Sequence, residues 1–193
     1  MALAPWRSLV AHALHRNRSL PYARYAQLAT TRPDGRPANR TIVFRGFLED
    51  TNQLKFITDA RSEKPGQVER SQWGELCWYF PTTREQFRIT GTLHLIRDSD
   101  PDERLRNARQ QLWQDLSDHS RIQFAWADPG KPRAAAAAFS PTKPSCDEAL
   151  PNFCLLLLEP TEVDHLELQG EPQNRNIYHR LEDGEWNAKE VNP

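Results

Sequence analysis

The stretch from Gln86 to Leu95, Gln-Phe-Arg-Ile-Thr-Gly-Thr-Leu-His-Leu, alternates between two kinds of side chain. A period of two predicts a β-strand that is buried on one face and carries polar groups on the other. The buried face would hold Phe87, Ile89, Gly91, Leu93 and Leu95, and the polar face Gln86, Arg88, Thr90, Thr92 and His94.

Further strands are expected on both sides of this one. Residues 22–31 and 36–47 surround a Pro-Asp-Gly turn and predict a β-hairpin. Other strands are expected over residues 54–58, 76–80, 153–158, 163–168, 176–181 and 186–191, and helices over 5–17, 63–70 and 100–116. Residues 117–151 are expected to be mostly loop, and a loop of that length is usually functional or mobile.

These elements favour a mainly β fold with peripheral helices. Mostly antiparallel connections and short turns are typical of a closed or half-closed barrel, since closure removes exposed strand edges. A Rossmann sheet is disfavoured because the chain has no Gly-x-Gly-x-x-Gly stretch and no regular βαβ alternation. With 193 residues, the chain is expected to form one domain over residues 1–193 with an N-terminal helix.

Charge and composition narrow the class of partner. The formal net charge is −1 and the pI about 6.6, whereas a dedicated nucleic-acid binder usually carries a basic excess, so no nucleic-acid partner is expected. The three cysteines are odd in number and lack a Cys-x-x-Cys spacing, which is typical of reduced thiols in a cytosolic protein.

The apolar runs predict no membrane contact. Residues 1–17 mix charged residues with apolar ones and lack the apolar stretch of a signal peptide. The longest apolar runs, 134–139 and 153–158, are too short to cross a bilayer. We therefore expect a soluble, cytoplasmic protein.

Groups suited to a phosphorylated ligand are concentrated in residues 40–91. Arg40 and Arg45 flank an apolar strand, so a guanidinium could bind a phosphate through two N–H groups. Thr58 and Ser62 offer hydroxyl donors, and Ser62 is a candidate N-cap of the helix over 63–70. The free N–H groups and dipole of that helix start favour an anion, and Lys64 adds a cation there.

On the polar face of the strand over 86–95, Gln86 and Arg88 could bond the carbonyls and nitrogens of a heterocycle. Cations on half-exposed strands are also commonly just solvated. The residues alone therefore predict an anion site and leave its ligand open.

Other kinds of chemistry have weaker support. His12 and His15 lie three residues apart on a helix but have no third ligand at a suitable spacing, so no metal site is expected. No serine has the Gly-x-Ser-x-Gly setting of a hydrolase nucleophile, and no catalytic acid or base is evident. Trp73, Trp78 and Trp126 are expected to be core or interface anchors.

Three stretches in this order resemble the pyridoxamine 5'-phosphate oxidase-related FMN-binding proteins of the flavin-binding split-barrel superfamily. They are RPDGRPANRTIVFRGF (32–47), LKFITDARSEK (54–64) and ELCWYFPTTREQFRITG (75–91). The opening PWRSLVAHALHRNRSLPYARYAQLAT (5–30) is similar to a branch described only as FMN-binding. The resemblance is densest over residues 20–95.

The resemblance implies a split barrel of six or more strands and a homodimer with FMN in two clefts at the subunit interface. Gln86 would face the flavin ring, and Arg175 would reach FMN from the partner subunit. Carried over by position, the implied FMN-binding residues are Arg40, Thr41, Ile42, Val43, Arg45, Ile57, Thr58, Ser62, Lys64, Gln86 and Arg175.

The sequence departs from the oxidases at several positions. Glu63 stands where they carry an arginine beside the phosphate, and Pro129-Gly130 stands where they carry a Gln-Ser pair. Residues 165–168 contain no tryptophan to pack on the flavin, and residues 171–173 lack the Arg-x-His element that binds substrate. The expected function is an FMN-dependent oxidoreductase of unknown substrate. A pyridoxamine-phosphate oxidase and a non-catalytic flavin or haem-binding module are the alternatives.

Overall fold

Strand β5, Glu85–Ile96, confirms the alternation predicted for residues 86–95. In the computed structural model, which describes residues 3–193, Phe87, Ile89 and Leu93 are fully buried, whereas most of the intervening side chains are partly exposed. β5 pairs antiparallel with β4 (Trp73–Phe80) on one side and with β6 (Phe153–Glu167) on the other.

The sheet closes into the split barrel that the sequence predicted. The other elements are β1 (Tyr25–Thr31), β2 (Pro37–Val43), β3 (Leu54–Asp59), β7 (Asn174–Arg180), β8 (Trp186–Val191), α1 (Pro5–Arg16), α2 (Glu63–Arg70), α3 (Glu103–Gln114) and α4 (Asp118–Ile122). The strand order is β2-β1-β4-β5-β6-β7-β8, and β3 pairs with β6. Beyond the end of β2, Arg45 donates its backbone N–H to Lys55 O, and Lys55 donates to Gly46 O, both at 2.8 Å. These bonds join the chain after β2 to β3.

Strand β6 corrects the prediction of two separate strands over 153–158 and 163–168. It runs through Pro160 because the pairing with β5 shifts register between Thr90 and Gly91, and a bulge accommodates a residue that has no N–H to donate. The first part of β6 pairs with β3 and the last part with β7. The first part of β6 therefore belongs to the barrel, and its last part joins β7 and β8 to the same sheet.

Two apolar clusters lie on opposite faces of the sheet. The barrel cluster includes Trp6 of α1 and Trp78 of β4, as expected for a core tryptophan. The other cluster packs Trp113 of α3 against Phe153 and Leu155 of β6. Because both faces of β6 are covered there, residues 153–158 are buried without alternation.

The long segment predicted to be loop contains short helices. α4 begins after Ser117, whose hydroxyl accepts a hydrogen bond from Ser120 N–H, and 3₁₀ turns cover Gln123–Ala125 and Ala136–Phe139. The rest of residues 117–151 is irregular, as predicted. Across residues 3–193 the helices are too short or too polar to cross a bilayer.

Candidate functional site

A cleft of about 880 Å³ opens between the outside of the barrel and the segment over residues 120–139. This volume suits a ligand of cofactor size. Eight of the eleven sequence-predicted site residues line it: Thr41, Ile42, Val43, Arg45, Ile57, Thr58, Ser62 and Lys64. The β2 strand, the residues just after it, β3 and the start of α2 bring them together.

Lys64 is a partly buried cation that lines the cleft. Its Nζ donates to Thr58 Oγ1 at 3.2 Å, and no carboxylate of residues 3–193 forms an ion pair with it. Burial, with a smaller contribution from the positive charge of Arg40, lowers the pKa of Lys64 to about 8. A buried cation without a counterion is costly, and an anion in the cleft would offset that cost.

Arg45 is a second cation that lines this cleft. Its Nε is buried and has no hydrogen-bond partner among residues 3–193. Burial, and then the positive charge of Arg24, lower the pKa of Arg45. Buried polar groups are nearly always hydrogen-bonded, so the free donor of Arg45 fits an anionic or polar ligand.

The start of α2 presents further donors to the same region. Ser62 occupies the predicted N-cap position, but its hydroxyl donates to Asp59 O at 2.8 Å and does not cap the helix. Pro65 has no N–H, so the first helical turn offers the backbone N–H groups of Glu63 and Lys64 to an anion. Glu63, which replaces an arginine of the oxidases, is exposed and lies outside the residues that line the cleft. Together, the side chains of Lys64 and Arg45 and the N–H groups at the start of α2 fit a phosphate group.

Arg40 faces α2 and lies outside the cleft lining. Its guanidinium donates to Thr30 Oγ1 at 2.6 Å, to Gln67 Oε1 at 2.8 Å and to Leu28 O at 3.1 Å. These bonds fasten α2 to the sheet. Arg40 therefore supports the helix that carries Lys64.

Gln86 and Arg175 also lie outside the cleft, on a face of the sheet formed by β5, β6 and β7. They occupy one row, because Gln86 pairs with Leu166 and Leu166 pairs with Arg175. Arg175 donates from Nε and Nη2 to the two oxygens of Asp164, at 3.0 and 2.8 Å. Within one chain, the predicted site is thus divided between the cleft and this face.

Sequence reasoning missed the wall of the cleft opposite the barrel. Arg61 holds that wall in place, since its guanidinium bonds Asp59, Asp128 and the backbone oxygens of Phe124 and Trp126. The hydrogen bond to Asp59 is the main cause of the raised pKa of Arg61. Trp126, expected to be a core or interface anchor, lines the cleft. The length of the irregular segment was the only available signal.

A group of potential metal ligands lies where the start of β5 pairs with the end of β6, outside the residues that line the cleft. Glu85, His165 and Glu167 place ligand atoms within 4.8 Å of one another. His165 Nε2 is 2.9 Å from Glu85 Oε2, and its ring stacks on Phe87 with centroids 4.2 Å apart. Because His165 and Glu85 form a hydrogen bond with each other, the burial of both residues is explained without a metal ion.

Comparison with known proteins agrees with this architecture. Residues 3–97 match the family model described as pyridoxamine 5'-phosphate oxidase, FMN-binding domain. Pyridoxine/pyridoxamine 5'-phosphate oxidase 2 of Arabidopsis thaliana is 38% identical, and the alignment covers 99% of this chain and 98% of that one. The chain belongs to the pyridoxamine 5'-phosphate oxidase family and is an FMN-binding protein.

Solved structures support the fold in the same way. A pyridoxamine 5'-phosphate oxidase-related FMN-binding protein of Nostoc punctiforme is 62% identical, with a TM-score of 0.97 and full coverage of both chains. PhzG of Burkholderia lata shares the fold at 19% identity, with a TM-score of 0.77 over 100% of this chain and 94% of that one.

Proposed function

We propose that the protein is an FMN-dependent oxidoreductase, and that Lys64, Arg45 and the first turn of α2 bind the phosphate of FMN. The supporting observation is Lys64, a partly buried ammonium group in the cleft without a carboxylate partner among the described residues, whose pKa burial lowers to about 8. When bound, FMN would supply the redox chemistry by accepting electrons from a substrate, and the protein would supply position and electrostatics. The substrate is left open.

The test compares FMN with riboflavin, which has the same ring system without the phosphate. Titration monitored by flavin fluorescence should show much tighter binding of FMN to the native protein. Lys64→Met should reduce this preference by roughly tenfold or more, the size of one lost charge-assisted interaction. Glu63→Gln is the matched control on the adjacent residue, and should leave the preference almost unchanged. A colourless protein that fails to take up FMN, or equal affinity for both flavins, would contradict the proposal.

We also propose that the active form is a homodimer with FMN at the interface. Gln86 and Arg175 do not line the cleft of their own chain, and a second copy could bring them to it. Residues 1–193 would then act as one cytoplasmic cofactor-binding domain.

A vitamin B6 oxidase is the second candidate, favoured by the name of the Arabidopsis relative. The segment 171–173 lacks the Arg-x-His element of the oxidases, and 165–168 lacks their tryptophan. We therefore expect no turnover when FMN-loaded protein is incubated with pyridoxine 5'-phosphate. Formation of pyridoxal 5'-phosphate, followed by its absorbance, would establish this activity instead.

A non-catalytic flavin or haem-binding module is the third candidate. Such a carrier should show no fast reductive step when it is mixed with NADH or NADPH in a stopped-flow spectrometer. Rapid bleaching of the flavin absorbance by either donor would favour the oxidoreductase. Uptake of haem in place of FMN would favour the carrier.

A further inference from the structure

A buried carboxylate lies between two arginines on the sheet face that carries Gln86. Asp164 of β6 is 5% exposed. It accepts both bonds of a bidentate contact from Arg175 of β7, and a further bond from Arg88 of β5. The side chains of Arg88 and Arg175 remain 42% and 28% exposed. The three residues, which we call the Asp164 cluster, lie outside the residues that line the cleft.

The cluster holds more positive than negative charge. Two guanidinium groups share one carboxylate, so the three side chains carry a net charge of +1. Each guanidinium has five N–H donors, and Asp164 engages two of those on Arg175, so donors remain for another acceptor. An acceptor on a ligand or on another molecule could therefore add to the cluster without displacing Asp164.

Burial of Asp164 keeps both arginines in place. A buried carboxylate is strongly destabilised if its partners leave, so Arg88 and Arg175 stay docked on it. Burial alone would raise the pKa of Asp164, but the hydrogen bonds from Arg175 and Arg88 outweigh this and lower it. The two arginines are thus oriented before any ligand arrives, which spares their side-chain entropy on binding.

We propose that Asp164 is a positioning residue that orients Arg88 and Arg175, beside Gln86, toward the FMN held in the cleft of a second copy of this chain. The inference rests on the proposed function, and adds Arg88 and Asp164 to the residues that act on the cofactor. The flavin ring suits this occupant role, because its carbonyl oxygens and ring nitrogens accept hydrogen bonds, it gains negative charge on reduction, and the cluster offers free N–H donors with a net positive charge. In the dimer, the cleft of one chain would bind one FMN molecule and the Asp164 cluster of the same chain would contact the other FMN molecule.

The first measurement is the FMN affinity of Asp164→Asn, which keeps the shape of the side chain and removes its charge. We expect roughly tenfold weaker binding, the lower range for losing a group that orients a ligand-binding side chain. The matched control is Glu159→Gln, on the same strand, which removes an ion pair to Arg180. This variant should bind FMN as the native protein does. Circular dichroism and thermal melting would confirm that each variant is folded.

The second measurement separates action across the interface from a structural effect. Hybrid dimers are purified with two affinity tags, one chain carrying Lys64→Met and the other Asp164→Asn. If Asp164 acts on the cleft of the partner chain, such a hybrid has one FMN site that carries both substitutions and one site that carries neither. At an FMN concentration that leaves both parent homodimers nearly empty, we expect the hybrid to hold about half the flavin of native dimers.

The outcomes distinguish the two proposals. A hybrid as empty as its parents would overturn the assignment of Asp164 to the partner's site, and so would native affinity in Asp164→Asn. In either case, FMN binding by the native protein would still support the proposed function. A native protein that binds no FMN would overturn both.

Discussion

Three of the cations that line the cleft, Arg61, Lys64 and Arg45, differ in how their positive charge is balanced. Arg61 is neutralised by Asp59 and Asp128, and it holds the wall of the cleft. Lys64 forms no ion pair within the described chain, and the buried Nε of Arg45 has no hydrogen-bond partner there. Since a charge held away from water is costly without a partner, the two uncompensated cations support the proposed anion site, whereas the ion pairs of Arg61 fit a structural role.

The pH dependence of FMN binding should report on Lys64. The pKa of Lys64 is about 8 in the free protein, and a bound phosphate would raise it. Affinity should be greatest near pH 7, where the phosphate is largely dianionic, and should fall by roughly tenfold between pH 7 and pH 9 as the free protein loses the Lys64 proton. Lys64→Met should abolish this decline. Equal declines in both proteins would show that another group is responsible.

In the FMN-free protein, the contribution of Lys64 to the free energy of unfolding should rise with pH, whereas the FMN affinity falls. The pKa of Lys64 lies below its unfolded value of about 10.4, so between pH 8 and 10.4 the unfolded chain binds more protons than the folded one. Lys64 therefore contributes a rise in the free energy of unfolding across this range. Urea denaturation of native protein and Lys64→Met at several pH values would measure the contribution. A fall attributable to Lys64 would contradict its burial without a counterion.

Among the elements, the antiparallel pair of β5 and β6 leaves no room for a side chain at Gly91. A Cβ atom built on Gly91 would lie 2.0 Å from Glu159 O, at the register shift beside Pro160. The backbone of β6 cannot yield as a flexible side chain could. Glycine at this position is therefore required for β6 to continue as one strand.

Gly91→Ala should destabilise the protein by about 1–3 kcal/mol or more, because the added methyl group forces the two strands apart. Chemical denaturation would measure the free energy of unfolding. Gly66→Ala is the matched control, since a Cβ there meets nothing within 4 Å and the residue lies in α2. It should be neutral or stabilising by about 0.5–1 kcal/mol. Similar losses in both variants would argue against the close approach at Gly91.

At the scale of the whole molecule, the predicted cofactor residues divide between two places. Lys64 and Arg45 line the cleft, whereas Gln86 and Arg175 lie in a row on the sheet face. One chain does not unite them in a single pocket. A dimer would complete each site with residues from both copies, which would couple cofactor binding to assembly.

Dilution should therefore release the flavin. As the protein concentration falls below the dimer dissociation constant, we expect the flavin fluorescence to rise together with the appearance of monomer. Analytical ultracentrifugation with detection at flavin and protein wavelengths would follow both events. Excess FMN should shift the transition to lower protein concentration. A monomer that retains stoichiometric FMN would contradict an interfacial site.

Local patterns were sufficient for much of the fold and for most of the residues that line the candidate cleft. The period of two over residues 86–95, the Pro-Asp-Gly hairpin and the helix start near Ser62 depend on neighbouring residues, so the sequence by itself determined them. The ordered stretches within residues 32–91 were enough to indicate the family and FMN.

Only the tertiary structure decided how distant segments meet. The continuity of β6 through Pro160 depends on Gly91, about seventy residues earlier in the chain, and no local pattern in β6 could reveal it. The same holds for Arg61 and the wall at Trp126, and for Asp164 between Arg88 and Arg175. These contacts depend on closure of the barrel, because pairing across the sheet joins residues that are remote in sequence. The strand from Gln86 to Leu95 was predictable from the sequence, but which strands pair with it on each side was not.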